Sequence, residues 1–187
     1  MIRTKTTLIV GAGASCEINL PSQSELLDRV ASSLDFYRFG GERLTKDSQA
    51  LLRYLGKLAE RPGNSQEALY AATERLRISA RMNRMIDQAI DQNDDNQLVT
   101  LCGKLAIAHL ICQGESKSAL KAAPKAEGEL PLQNGDFWLY ELGKLVTSGV
   151  PRSQVEKCFD NLSIVSFNYD RSIEHFLPHA FVMAFGM

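Results

Sequence analysis

The sequence predicts an α/β fold in which a parallel sheet, incomplete in this chain, is carried by strands near the two ends of the polypeptide, with helices between them. Three observations predict it. Thr6 to Val10 is a short, β-branched, apolar run closed by glycine. Leu162 to Phe167 is a second such run, and from about Asp47 to Gln113 the apolar residues recur at helical spacing. Two parallel strands alone make a poor sheet, since sheets usually carry about five or six strands. The chain is therefore expected to be part of a larger domain.

The elements follow in order. Thr6 to Val10 is read as a strand buried on both faces. A helix is expected to start near Ser22, because Ser22-x-x-Glu25 is a capping box and Leu26, Leu27 and Val30 supply its apolar face. Leu51, Leu52, Leu55 and Leu58 mark a helix stopped by Pro62-Gly63. Leu69 through Ile90 marks one longer helix, and Leu98, Leu101, Leu105 and Ala108 another. These stripes read as core, so residues 45–125 are expected to form a helical insertion within one domain spanning 1–187. Ser116 to Leu132, with lysines, glycines and two prolines, reads as a surface loop. Phe137 to Val146 suggests a helix, Pro151 the first turn of a short one reaching Cys158, and Ser172 to Leu177 a last helical segment after the second strand.

Composition bounds the function. With 187 residues and 44% hydrophobic content, the chain is long enough for one globular domain. Lys plus Arg 21 against Asp plus Glu 22 leaves a net charge of -1, so neither nucleic acid nor anionic lipid attracts it generally. Cys16, Cys102, Cys112 and Cys158 form no Cys-x-x-Cys pair, hence no disulfide framework or zinc knuckle, and free thiols suit the cytoplasm. Arg3 and Lys5 before Leu8 to Val10 imitate an export signal, but that apolar core is shorter than the roughly 7–15 residues a signal needs. No apolar run approaches the length of a membrane span.

The chemistry-bearing candidates are few. Gly11 and Gly13 stand between strand and helix, where glycine permits positive φ and close approach of backbone to a phosphate. A third glycine of the dinucleotide fingerprint is replaced by Cys16, and no Gly-Lys-Ser/Thr follows. A phosphate cradle and a ligand-free turn both remain open on these residues. Gly13-Ala-Ser15-Cys-Glu17 departs from a nucleophile elbow, which needs glycine where Glu17 stands. Cys102, His109 and Cys112 are read on the apolar side of one helix, but Cys102 and His109 lie about 10 Å apart along its axis and only His109 and Cys112 could chelate together, so no metal site is expected. Asn168-Tyr169-Asp170 follows the second strand at the edge where parallel sheets bind ligands. The same segment reads equally as a helix start with Asp170 as N-cap.

Taken together, Leu8-Ile-Val-Gly-Ala-Gly-Ala-Ser15, Asn19-Leu-Pro21 and Ser166-Phe-Asn-Tyr-Asp170 resemble the sirtuin-like NAD-binding family, in particular its bacterial branch of NAD-hydrolysing and antiphage-defence proteins. The resemblance implies a Rossmann-like sheet that binds NAD, with Gly11, Ala12, Gly13, Ala14 and Ser15 against the pyrophosphate and Pro21 on the cofactor-binding side. It further implies that Asn168 contacts the nicotinamide ribose, that Asp170 helps position the nicotinamide, and that Tyr169 lines the site. Water would then take the sugar. A non-catalytic domain that holds NAD or an ADP-ribose derivative is the alternative. The paired cysteines and Asp-Phe-Arg-Ser segment of deacetylating sirtuins are missing, so deacetylation is not expected. His109, His175 and His179 are not followed by glycine, as the family's base usually is, so the chain is expected to be an N-terminal part or an inactive product. The apolar helix faces suit self-association as well as packed core.

Overall fold

A computed structural model describes residues 2–37, 44–121 and 137–186. The fold is mixed α/β, mostly helical, with one small parallel sheet. Strand β1 (Thr6–Val10) is followed by a 3-10 helix (Ala12–Ile18), then α1 (Gln23–Ser33), α2 (Lys46–Ala59), α3 (Gln66–Ala80), α4 (Ile86–Asp91) and α5 (Gln97–Lys117). A 3-10 turn (Ala119–Lys121), α6 (Trp138–Thr147), a 3-10 segment (Arg152–Phe159), β2 (Leu162–Ser166) and α7 (Ser172–Phe185) complete the order. The chain divides into two compact units, one of residues 1–20 with 114–187 and one of residues 21–113.

The sheet belongs to the first unit. β1 and β2 pair in parallel with Leu8 opposite Ile164 and Ile9 opposite Val165. Side chains alternate across a strand, so Leu8 and Ile164 turn to the core built on Val10, Ile18, Leu139, Val146 and Phe176, while Ile9, Val165 and Phe167 fall on the other face. That face is open. Ile9 is 68% exposed and Phe167 71%, which corrects the expectation of strands buried on both sides. The physical reason is that among the described residues no helix layer covers it.

The second unit is a helical core. Val30 of α1, Leu51 and Leu55 of α2, Leu69 and Leu76 of α3, Ile86 of α4 and Val99 and Leu110 of α5 are fully or almost fully buried in one cluster. Ser22 caps α1 as expected: its hydroxyl accepts from the Glu25 N–H and the Glu25 carboxylate accepts from the Ser22 N–H. Thr45 and Ser65 cap α2 and α3 through the same hydroxyl-to-amide geometry.

The single helix expected from Leu69 to Ile90 is two. α3 stops at Ala80, where the Asn83 amide donates to the Ser79 carbonyl and satisfies a helix-end acceptor, and α4 restarts at Ile86. Apolar spacing continues through the break, which is why periodicity alone joins them. The expected loop at Ser116 begins as helix, since α5 runs to Lys117, and residues 122–132 lie outside those described. α7 extends past the expected Leu177 to Phe185, with Pro178 inside it. No helix among the described residues is long and apolar enough to cross a membrane.

Candidate functional site

Parallel pairing puts the carboxyl ends of β1 and β2 side by side, and the two sequence motifs leave from those ends. The Phe167 N–H donates to the Val10 carbonyl at 2.9 Å, carrying the pairing one residue past β2. Beyond it, the Asn168 N–H donates to Ser166 Oγ, and Asn168 Nδ2 donates to Ser15 Oγ at 2.9 Å. Ser15 is 2% exposed. Two residues 153 positions apart thus meet in one partly buried hydrogen bond. The other half of the Asn168 amide, Oδ1, is buried with no hydrogen-bond partner among the described residues. Leaving such an acceptor unmet ordinarily costs about 1–3 kcal/mol.

The glycines are required neither by backbone conformation nor by neighbours. Gly11 is extended, with φ -116°, and neither Gly11 nor Gly13 has positive φ, contrary to the reason for which glycine was expected there. The chain passes directly from β1 into a right-handed 3-10 helix, and the left-handed residue is Asn19, at the C-cap of that helix with φ 66°. Asparagine tolerates that region through its short polar side chain. A Cβ added at Gly11 or Gly13 would meet nothing within 4 Å. The space above them is a cavity of about 270 Å³ lined by Leu8, Ile9, Val10, Gly11, Gly13, Ala14 and Trp138. It is an open hollow slightly smaller than the roughly 300–1,000 Å³ of ordinary ligand pockets, with room for part of a dinucleotide at most.

Sequence reasoning missed Trp138 and Glu17. Trp138 Nε1–H donates to the Ala14 carbonyl at 2.5 Å, and the Trp138 backbone N–H donates to Glu17 Oε2 at 3.0 Å. A carboxylate on a first-turn amide of α6 is favourable, since that end of a helix presents unpaired N–H groups. The contacts join α6 to the 3-10 helix across more than a hundred residues, and no local pattern announces them.

The remaining predicted residues are placed as follows. Ala12, Gly13 and Ala14 form the first turn of the 3-10 helix, with the Ala14 N–H donating to the Gly11 carbonyl. Asp170 Oδ1 accepts from the Ser172 N–H at 3.0 Å and from the Ser172 hydroxyl, so this carboxylate supports the start of α7 from one residue before the N-cap, Arg171. Tyr169 is 44% exposed. Pro21 is the first residue of the helical unit.

His175 donates from Nε2 to the Leu120 carbonyl and meets the His179 ring edge-on at 5.5 Å. His109 lies in the helical unit against Asp47 at 3.1 Å. Cys102 is buried, and burial pushes its thiol up to about 11, whereas Cys112 is exposed, so the two do not share the apolar side of α5 as expected. No group of three His, Cys, Asp or Glu among the described residues could hold a metal ion. A wider hollow of about 590 Å³ runs along α3 in the helical unit, lined by Tyr37, Glu67, Tyr70 and Glu74, and contains none of the predicted residues.

No family model, no curated protein and no solved structure matches this chain.

Proposed function

We propose that the chain is a nucleotide-binding domain of sirtuin-like, Rossmann-like type whose ligand is NAD, with nicotinamide-releasing hydrolysis as its reaction. The observation that supports this reading is the junction of Ser15 with Asn168, with the Asn168 Oδ1 left buried and unmet beside a glycine turn.

In this reading the Gly11 to Ser15 backbone runs along the pyrophosphate, and Asn168 is oriented by Ser15 so that Oδ1 accepts from a ribose hydroxyl. Departure of nicotinamide leaves an oxocarbenium-like sugar, and a fixed amide dipole beside it stabilises developing charge without reorganising. Asp170, through Ser172, holds the start of α7 and so the loop that carries Asn168.

A second reading, binding without cleavage, is favoured by the histidines of this unit. His175 is committed to the Leu120 carbonyl and packed against His179, and Asp170 is committed to Ser172. These groups are positioned for structure rather than for activating water.

A thermal-shift titration with NAD and with ADP-ribose, read beside nicotinamide release in the same tubes, tests both. Ligand at a hundredfold excess over Kd stabilises the native state by about 2.7 kcal/mol, a clear rise in Tm. A shift with nicotinamide release that disappears in Asn168→Ala supports hydrolysis. A shift with NAD left intact supports the binding domain, and no shift with either ligand overturns the nucleotide reading.

A further inference from the structure

The chain has a single tryptophan, and it stands at the candidate site. Trp138 fastens the glycine turn at two points, through its indole N–H to the Ala14 carbonyl and through its backbone N–H to Glu17. The rest of the cavity wall is aliphatic side chain from β1 and glycine or alanine from the turn, with no charged side chain. Such a lining recognises a flat, weakly polar group better than a phosphate. About 270 Å³ suits one ring system with little beyond it.

Aromatic side chains bind bases by stacking, at about 1–3 kcal/mol per base, and the interaction is indifferent to base identity because every base has a π-face. A donor hydrogen bond from Nε1 removes the one polar need of a half-buried indole and fixes the ring's rotamer, so its orientation is set before any ligand arrives.

We propose that Trp138 is the binding and positioning residue for the planar base of the ligand, holding the glycine turn in place and offering its indole as the wall on which that base packs. The proposal rests on the nucleotide reading above and adds to it which part of the ligand enters the cavity. The ring occupies the space beside Leu8, Val10 and Trp138, and the attached phosphates continue outward over Gly11 and Gly13. Either end of NAD carries such a ring, adenine or nicotinamide.

The test uses the whole chain with two probes, ADP-ribose for the adenine end and nicotinamide mononucleotide for the other. Binding is followed by calorimetry and by tryptophan fluorescence in parallel. One probe is expected to change the emission and to saturate at its calorimetric Kd, which identifies the end that enters. Trp138→Ala is expected to weaken that probe at least about tenfold. Trp138→Phe keeps a ring but loses the indole N–H that helps hold the turn, and is expected to bind better than Trp138→Ala while falling short of the parent. If calorimetry detects binding while the emission stays constant, or if Trp138→Phe binds no better than Trp138→Ala, the role of Trp138 is overturned and the nucleotide reading stands. Failure of both probes to bind overturns the two together.

Discussion

Gly13 separates the two meanings a glycine turn can have. Were glycine needed for the turn itself, alanine would strain it. Here neither glycine has positive φ and a Cβ would meet nothing within 4 Å, so Gly11→Ala and Gly13→Ala are expected to keep or slightly raise Tm, by up to about 1 kcal/mol of lost unfolded-state entropy. If the proposed nucleotide site is real, their methyl groups should obstruct it, and calorimetric affinity for NAD should fall at least about tenfold. Ser15 gives the opposite pattern. Ser15→Ala leaves the Asn168 amide without its acceptor in a partly buried setting and should cost about 1 kcal/mol in denaturant unfolding. Thiol chemistry offers a third check at this scale. Cys16 and Cys112 are exposed, while Cys102 and Cys158 are buried with their thiols pushed up by burial. Iodoacetamide on the native protein should label the first two and spare the others, as read by mass spectrometry.

Among the elements, the capping box at α1 is the most local in cause. Ser22→Ala should cost about 1 kcal/mol in a thermal melt, through loss of the hydroxyl acceptor for the Glu25 amide. Its partner responds to pH. The Ser22 N–H and hydroxyl hold the Glu25 carboxyl below the ordinary 4.5, and the Arg77 guanidinium does the same for Glu74. Carboxyls with lowered folded values add stability that is complete above 4.5 and lost as pH falls through those lowered values. Glu25 is exposed and Glu74 partly so, so the loss is small, and Glu25→Gln should flatten part of it in melts taken across that range. α5 has a tighter constraint. A Cβ at Gly103 would lie 2.7 Å from Ile90 Cδ1 and 3.2 Å from Leu76 Cδ2, so Gly103→Val should cost about 1–3 kcal/mol by overpacking the contact with α3 and α4. Element by element, the strands and the Ser22 cap were legible because each is bounded by a local signal: glycine after Val10, a serine and a glutamate three apart. The break between α3 and α4 was not, because a side-chain amide ends α3 and no proline or glycine marks the place.

For the whole molecule, the parallel order of β1 and β2 followed from two apolar runs and a long helical stretch between them, whereas the open face did not, since an apolar strand reads alike whether covered or bare. Ile9, Val165 and Phe167 form that face, and polar substitution there removes no buried contact. Ile9→Thr with Phe167→Ser should leave Tm nearly unchanged and raise solubility, measured by light scattering with concentration. The candidate site was half legible. Ser15 and Asn168 carry polar groups at strand ends, which sequence can mark, but Trp138 and Glu17 reach the turn only through tertiary contact. The bond between residues 153 apart also orders events in time. Helical contacts are near in sequence and form early, while the closing of so long a loop is entropically costly and non-local strand pairing is slow. During refolding, far-ultraviolet helical signal should therefore recover ahead of the tryptophan signal at the turn. On the ribosome, Ser15 waits without its partner until Asn168 has emerged, so the Ser15–Asn168 junction comes into being only once residue 168 has left the exit tunnel.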